Sequence, residues 1–132
     1  METDNRYEKV IQNLREAIYT SDESGYVKLY NKAAVELWGR KPIPGKDLYC
    51  GSHKLLDKDR TELSLEKYPM AIALKQRKPI TNAEVTIQRP DGSFRNILHS
   101  STPVYDLQGQ LTGAVNILID VTGKNQKPDI VF

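Results

Sequence analysis

Few side chains in this chain could do chemistry. They are one cysteine, Cys50, two histidines, His53 and His99, and a carboxylate run, Asp57, Asp59 and Glu62. A nucleophile needs a base and a group that orients the base. Cys50 with His53 or His99 could form a dyad, but Cys50 falls in a loop-like stretch and no neighbour in sequence would lower its pKa. Cys50-Gly51-Ser52-His53 holds half of a tetrahedral metal set, with no second ligand pair to close it. Asp57, Asp59 and Glu62 are interleaved with Lys58 and Arg60, the pattern of a solvated, self-neutralising surface. Neither G-x-x-x-x-G-K nor G-x-G-x-x-G occurs. No catalytic residue and no metal ligand is expected, and the chain reads as a non-enzyme.

His99, Ser101 and Asn116 suggest a different use, because each interrupts an apolar strand. Leu111 to Thr122 is a nearly unbroken apolar run rich in β-branched residues, read as a central strand covered on both faces. Alternation puts Ala114, Asn116 and Leu118 on one side of it. The same rule groups Ile97, His99 and Ser101 on the preceding strand, and Val85 with Ile87 on the one before. Pointing together beneath helices, these would be a few polar groups in an apolar concavity, the usual make-up of a small-molecule pocket. The plainer alternative is satisfied polar residues in or near a core.

The elements that must position them follow in order. Tyr7, Val10, Ile11, Leu14 and Ile18 have the spacing of a one-faced helix, capped by Asp4 or Asn5, packed on its own domain or shared with a second subunit. Ala17–Ser21 and Tyr26–Tyr30 are short strands around Asp22-Glu23-Ser24-Gly25. Asn31 caps a short helix carrying Ala33, Ala34, Leu37 and Trp38, which Gly39 ends. Residues 40–66 read as loops and single helical turns. Pro69 opens a helix through Leu74 to about Arg77. Ala83–Arg89 and Ser93–Tyr105 flank Pro90-Asp91-Gly92, and Asp106–Gly109 leads into the final strand. Two strands, a helical middle and three strands make an α+β chain with helices on one face of a sheet.

A length of 132 residues gives one domain, and a formal charge of +2 is too small and too evenly spread for a nucleic-acid binder. No apolar run could span a bilayer, Met1 does not open a signal peptide, and a single cysteine suits a reducing cytoplasm. No membrane contact is expected.

Taken together, Asp22-x-x-Gly25 leading to Asn31-Lys32-Ala33-Ala34, the Pro69–Leu74 helix, Arg89-Pro90-Asp91-Gly92, Pro103-Val104 with Asp106-x-x-Gly109, and the closing Asp120-Val121-Thr122 resemble a PAS domain of bacterial signalling proteins. The resemblance covers about residues 7–122, leaving 1–6 as a flexible N-terminus and 123–132 as a tail or linker. It implies a PAS fold: a five-stranded antiparallel sheet in the order 2-1-5-4-3, helices cupping one face, and an N-terminal amphipathic helix. A ligand cavity would then lie near Leu37, Trp38, Met70, Leu74, Ile87, Ile97, His99, Ser101, Asn116 and Leu118. Flavin-binding members use an Asn-Cys-Arg-Phe motif and three side-chain amides. Here Cys50 is displaced and the amide positions align with Ile87, Ile97 and Leu118, which argues against flavin. Residues 66–77 hold no axial histidine, which argues against haem. The ligand is thus left unassigned, and a ligand-free dimerisation or docking module is the alternative. The resemblance further implies a homodimer through Tyr7, Val10, Ile11 and Leu14, and signal exit at Asp120 and Thr122 toward an output module such as a histidine kinase. Gly123 and Pro128 interrupt the helix expected there, so the chain is either a fragment or acts through a partner.

Overall fold

Aspartates build the turns that set the register. The Oδ1 of Asp22 accepts from the backbone N–H of Ser24 and Tyr26, both at 3.0 Å, and Asp106 does the same for Gln108 and Gln110 at 2.9 Å. Asp57 repeats the device with Asp59 and Thr61, so this carboxylate shapes a turn. Of the other charges in that run, Glu62 lies 3.8 Å from Lys54, and the Arg60 guanidinium stacks 4.1 Å from the Phe94 ring centre.

Between these turns, a computed structural model describes residues 15–123. The elements are β1 (Ala17–Ser21), β2 (Val27–Tyr30), α1 (Lys32–Trp38), β3 (Lys54–Leu56), a 3-10 turn (Leu65–Lys67), α2 (Pro69–Gln76), β4 (Ile80–Gln88), β5 (Phe94–Tyr105) and β6 (Leu111–Asp120). Tyr7, Val10, Ile11 and Leu14 of the expected first helix lie outside the described residues. Ile18, grouped with them by spacing, belongs to β1 and is 8% exposed. Its period-2 neighbours win over the period-3.6 match because β1 pairs with β6 along its whole length.

All strands pair antiparallel in the order β2-β1-β6-β5-β4-β3. The five strands expected from sequence keep their expected order, with β6 between β1 and β5. The sixth, β3, is only three residues long and lies within residues 40–66, where the Pro and Gly punctuation predicts loops and single helical turns. Leu55 sits opposite Ile87, both fully buried, and burying two such side chains contributes roughly 2 kcal/mol each. That packing, and no local propensity, holds the short edge strand.

Asn31 joins helix to sheet. Its Oδ1 accepts from Ala34 N–H and from Ile18 N–H, each at 3.0 Å, while Nδ2 donates to the Glu16 carbonyl at 2.7 Å. Gly39, at φ 70°, closes α1 in the left-handed conformation. Arg89 then grips the helix end, donating to the Leu37 carbonyl at 2.9 Å and the Glu36 carbonyl at 3.1 Å.

The two-sided covering expected of β6 needs correction. Ala114, Asn116 and Leu118 are buried on the helical side, but Val115, Ile117 and Ile119 are 37%, 39% and 43% exposed. Leu37 and Trp38 of α1 and Met70 and Leu74 of α2 all pack into one core with Ala114 and Leu118, so Val115, Ile117 and Ile119 are left as a partly exposed apolar ladder.

Candidate functional site

Cross-strand register assembles the interior site. Tyr19 on β1 and Ser101 on β5 both face Asn116 on β6, and His99 faces Leu118. Tyr19, His99, Ser101 and Asn116 have no exposed surface. Above them α2 supplies Met70, and α1 supplies Trp38, whose ring meets Tyr19 edge-on at 5.1 Å.

The hydrogen bonds define protonation. Asn116 Nδ2 donates to the Tyr19 carbonyl at 3.4 Å and lies 3.1 Å from the Met70 sulfur, so Oδ1 is the atom turned to His99. That oxygen can only accept, and it lies 3.0 Å from His99 Nε2. Nε2 therefore carries the hydrogen and Nδ1 is a bare acceptor. Burial pushes the His99 pKa down to about 4, outweighing the Asn116 bond that favours the cation, so the ring is neutral. The Tyr19 hydroxyl donates to the Tyr49 carbonyl at 2.7 Å and stands 3.4 Å from Nε2. Burial, then the neighbouring Cys50, raise the Tyr19 pKa well above its ordinary value.

Two buried atoms of this cluster, His99 Nδ1 and Ser101 Oγ, bond to none of the described residues, and neither does Trp38 Nε1 beside it. Leaving such an atom unbonded costs about 1–3 kcal/mol. Among the described residues the buried polar ones are Ser21, Asn31, Thr86, His99, Ser101 and Asn116, none of them charged.

Met70, Leu74, Ile87 and Ile97 are buried in the same core. Ile87, Ile97 and Leu118, the positions the resemblance aligned with flavin-reading amides, bring only carbon to the interior. Leu37 and Leu118 also border an open groove of about 370 Å³ between α1, β1 and β6, so they sit at the edge of the interior group. Cys50 is buried and burial raises its pKa, the state of an inert thiol. His53 is exposed whereas Cys50 is buried, and His99 Nε2 is directed at Asn116 and Tyr19. Tyr19 and Tyr49 were not singled out in the sequence. Alternation along Ala17–Ser21 would have placed Tyr19 on the Asn116 side, whereas nothing local marks the Tyr49 carbonyl.

At the far end of β6, Asp120 accepts from Arg95 Nε at 2.9 Å and from Thr122 N–H at 2.9 Å. Thr122 Oγ1 accepts from Asn96 N–H at 2.7 Å. Burial raises the Asp120 pKa, but Thr122 and Arg95 outweigh it and hold the carboxyl below its ordinary value. Asp120 and Thr122 thus clamp the end of β6 onto β5.

Comparison with known proteins bears on what this arrangement is. No curated protein matches the sequence. The fold is shared with the PAS domain of Bordetella pertussis BvgS, at 19% identity over 94% of this chain and 88% of that one, TM-score 0.59. The Rhodobacter sphaeroides LOV protein superposes at TM-score 0.70 with 14% identity, over 97% of this chain and 72% of that one. The PAS domain of the fruit-fly ELK potassium channel gives 0.68 with 13% identity, over 92% and 98%. The family model described as PAS fold matches residues 5–121. With β6 central, two helices on one face and the Asp120–Thr122 clamp at the strand end, the chain belongs to the PAS family.

Proposed function

We propose that this PAS domain is a sensory module that takes a small uncharged molecule beneath α2, against His99, Ser101 and Asn116. The observation that carries the proposal is the pair of buried, unbonded atoms on one face of β5, His99 Nδ1 and Ser101 Oγ. A bare Nδ1 asks for an N–H or O–H donor, and the serine hydroxyl can donate or accept. An ion entering this interior would meet no opposite charge, so the chemistry favours neutral ligands. Met70 is the side chain best able to give way, since its unbranched thioether adapts to new shapes. The residues bind and orient, and no catalytic step is assigned to them.

Binding shifts a population only through unequal affinity for two arrangements. Here α2 and β6 meet through the Asn116–Met70 contact, and β6 leads directly to Asp120. An occupant that moves Met70 would thereby load the clamp at the strand end, from which an output module such as a histidine kinase takes the signal. A cytoplasmic setting suits the lone, buried Cys50.

The experiment is a screen of neutral amides and alcohols against protein labelled with ¹⁵N at histidine. A hit is expected to move the His99 Nδ1 resonance, to weaken about tenfold in Ser101→Ala through loss of one hydrogen bond, and to lose out when a charged group replaces the donor. A Nδ1 signal that no compound moves would sink the proposal.

A second function, as a ligand-free dimerisation module, is favoured by the outward ladder of Val115, Ile117 and Ile119 and by the complete burial of Tyr19, Trp38 and Met70. Both functions are compatible with a homodimer formed across that ladder.

A further inference from the structure

We infer that a lysine-rimmed groove at the β2 edge of the sheet docks an acidic, apolar-anchored segment of a partner protein. The groove encloses about 530 Å³ and is rimmed by Lys28, Lys32 and Lys41 over a floor that includes Leu29, Val35 and Pro44. Among the described residues no carboxylate lines it. The ion pairs among the described residues are Arg40–Asp47, Lys54–Glu62 and Arg95–Asp120, and none involves these lysines. The nearest acid on the same loop, Asp47, is committed to Arg40 at 3.2 Å and to the Ile43 N–H at 2.6 Å. Three unneutralised ammonium groups around one concavity make a positive field that an acidic chain relieves.

The floor selects among anions. Leucine, valine and proline side chains complement an apolar residue of a peptide, not a sugar–phosphate chain. Among the described residues no arginine lines the groove to fork onto phosphate. Its concave shape also does not suit a flat bilayer surface. The volume lies in the range of ordinary ligand pockets, enough for one or two anchoring side chains.

Position adds a reason for a partner here. Lys41 and Pro44 belong to the loop that Arg40 fastens to the Gly51 carbonyl, and Gly51 lies flat beneath the Trp38 ring. An occupant of the groove therefore touches the loop that closes over the buried aromatic cluster. Docking itself does not depend on whether a ligand enters that cluster.

The test uses the full chain and a fluorescein-labelled acidic peptide carrying a central Leu-Phe pair, read by anisotropy and by amide chemical shifts. Binding is expected to weaken with added salt and to move Leu29, Val35 and Lys41. The triple variant Lys28→Glu, Lys32→Glu, Lys41→Glu is expected to lose at least about tenfold in affinity, as three rim attractions become repulsions. These side chains are exposed, and a glutamate at the start of α1 suits the helix terminus, so the variant folds. Replacing Leu-Phe by Ser-Ser is expected to cost a comparable factor. Equal loss in a control triple at Lys58, Lys67 and Lys78, or indifference to the Ser-Ser change, would reduce the attraction to unspecific charge and overturn the proposal. Tighter binding to anionic vesicles or to RNA at the same lysines would overturn it too.

Discussion

At the scale of the residue, His99 combines a neutral ring, one committed nitrogen and one bare one. Its depressed pKa has a stability consequence whose sign is fixed. The unfolded chain takes up a proton near 6.5, while the folded protein resists until about 4. Across that window the unfolded state binds more protons, so stability falls as pH drops through it. The total is about 3 kcal/mol from a separation of two to three pH units at 1.36 kcal/mol each. Urea unfolding at a series of pH values should show this slope in the wild type and lose most of it in His99→Gln. An unchanged slope in the variant would mean that the ring is not buried neutral. Alternation was enough to align His99 with Ile97 and Ser101 from sequence. The bare Nδ1 was not accessible that way, because it follows from which atom of Asn116 turns inward.

Among the elements, α1 is a helix of seven residues, too short to hold itself together in water. Its cap does more than cap, since Asn31 also receives the Ile18 N–H of β1 and donates to the Glu16 carbonyl. An N-cap alone is worth about 1 kcal/mol. Asn31→Ala also strands the buried Ile18 N–H, so a loss of about 2–4 kcal/mol in urea denaturation is expected. A loss no greater than that of an ordinary cap would show that the link to β1 carries nothing. The cap itself was visible from sequence, because asparagine before an apolar-periodic run is a local signal. Its reach across to β1 was not, because thirteen residues of chain separate the partners.

For the whole molecule, the outward face of β6 is the largest correction. An apolar run records that side chains avoid water, not what shields them. Val115, Ile117 and Ile119 flank buried residues along one strand, and the described helices cover only the buried set. A homodimer across this ladder predicts that Ile117→Glu is monomeric by analytical ultracentrifugation. Its thermal midpoint measured at low protein concentration should be little changed, because the side chain is already 39% exposed. A variant that stays dimeric would move the interface elsewhere. A variant that unfolds would instead make Ile117 part of the core.

By itself the amino-acid order determined the turns, the helix caps, the alternation within each strand and, through spacing, the sequence of elements, because all of these are set by neighbours a few residues apart. Only the tertiary structure decided that Lys54–Leu56 becomes an edge strand, that Tyr19 and Asn116 meet across the sheet, and that Val115, Ile117 and Ile119 are left partly exposed. Each of those depends on contacts between segments distant in the chain, where packing against a partner outweighs any local preference.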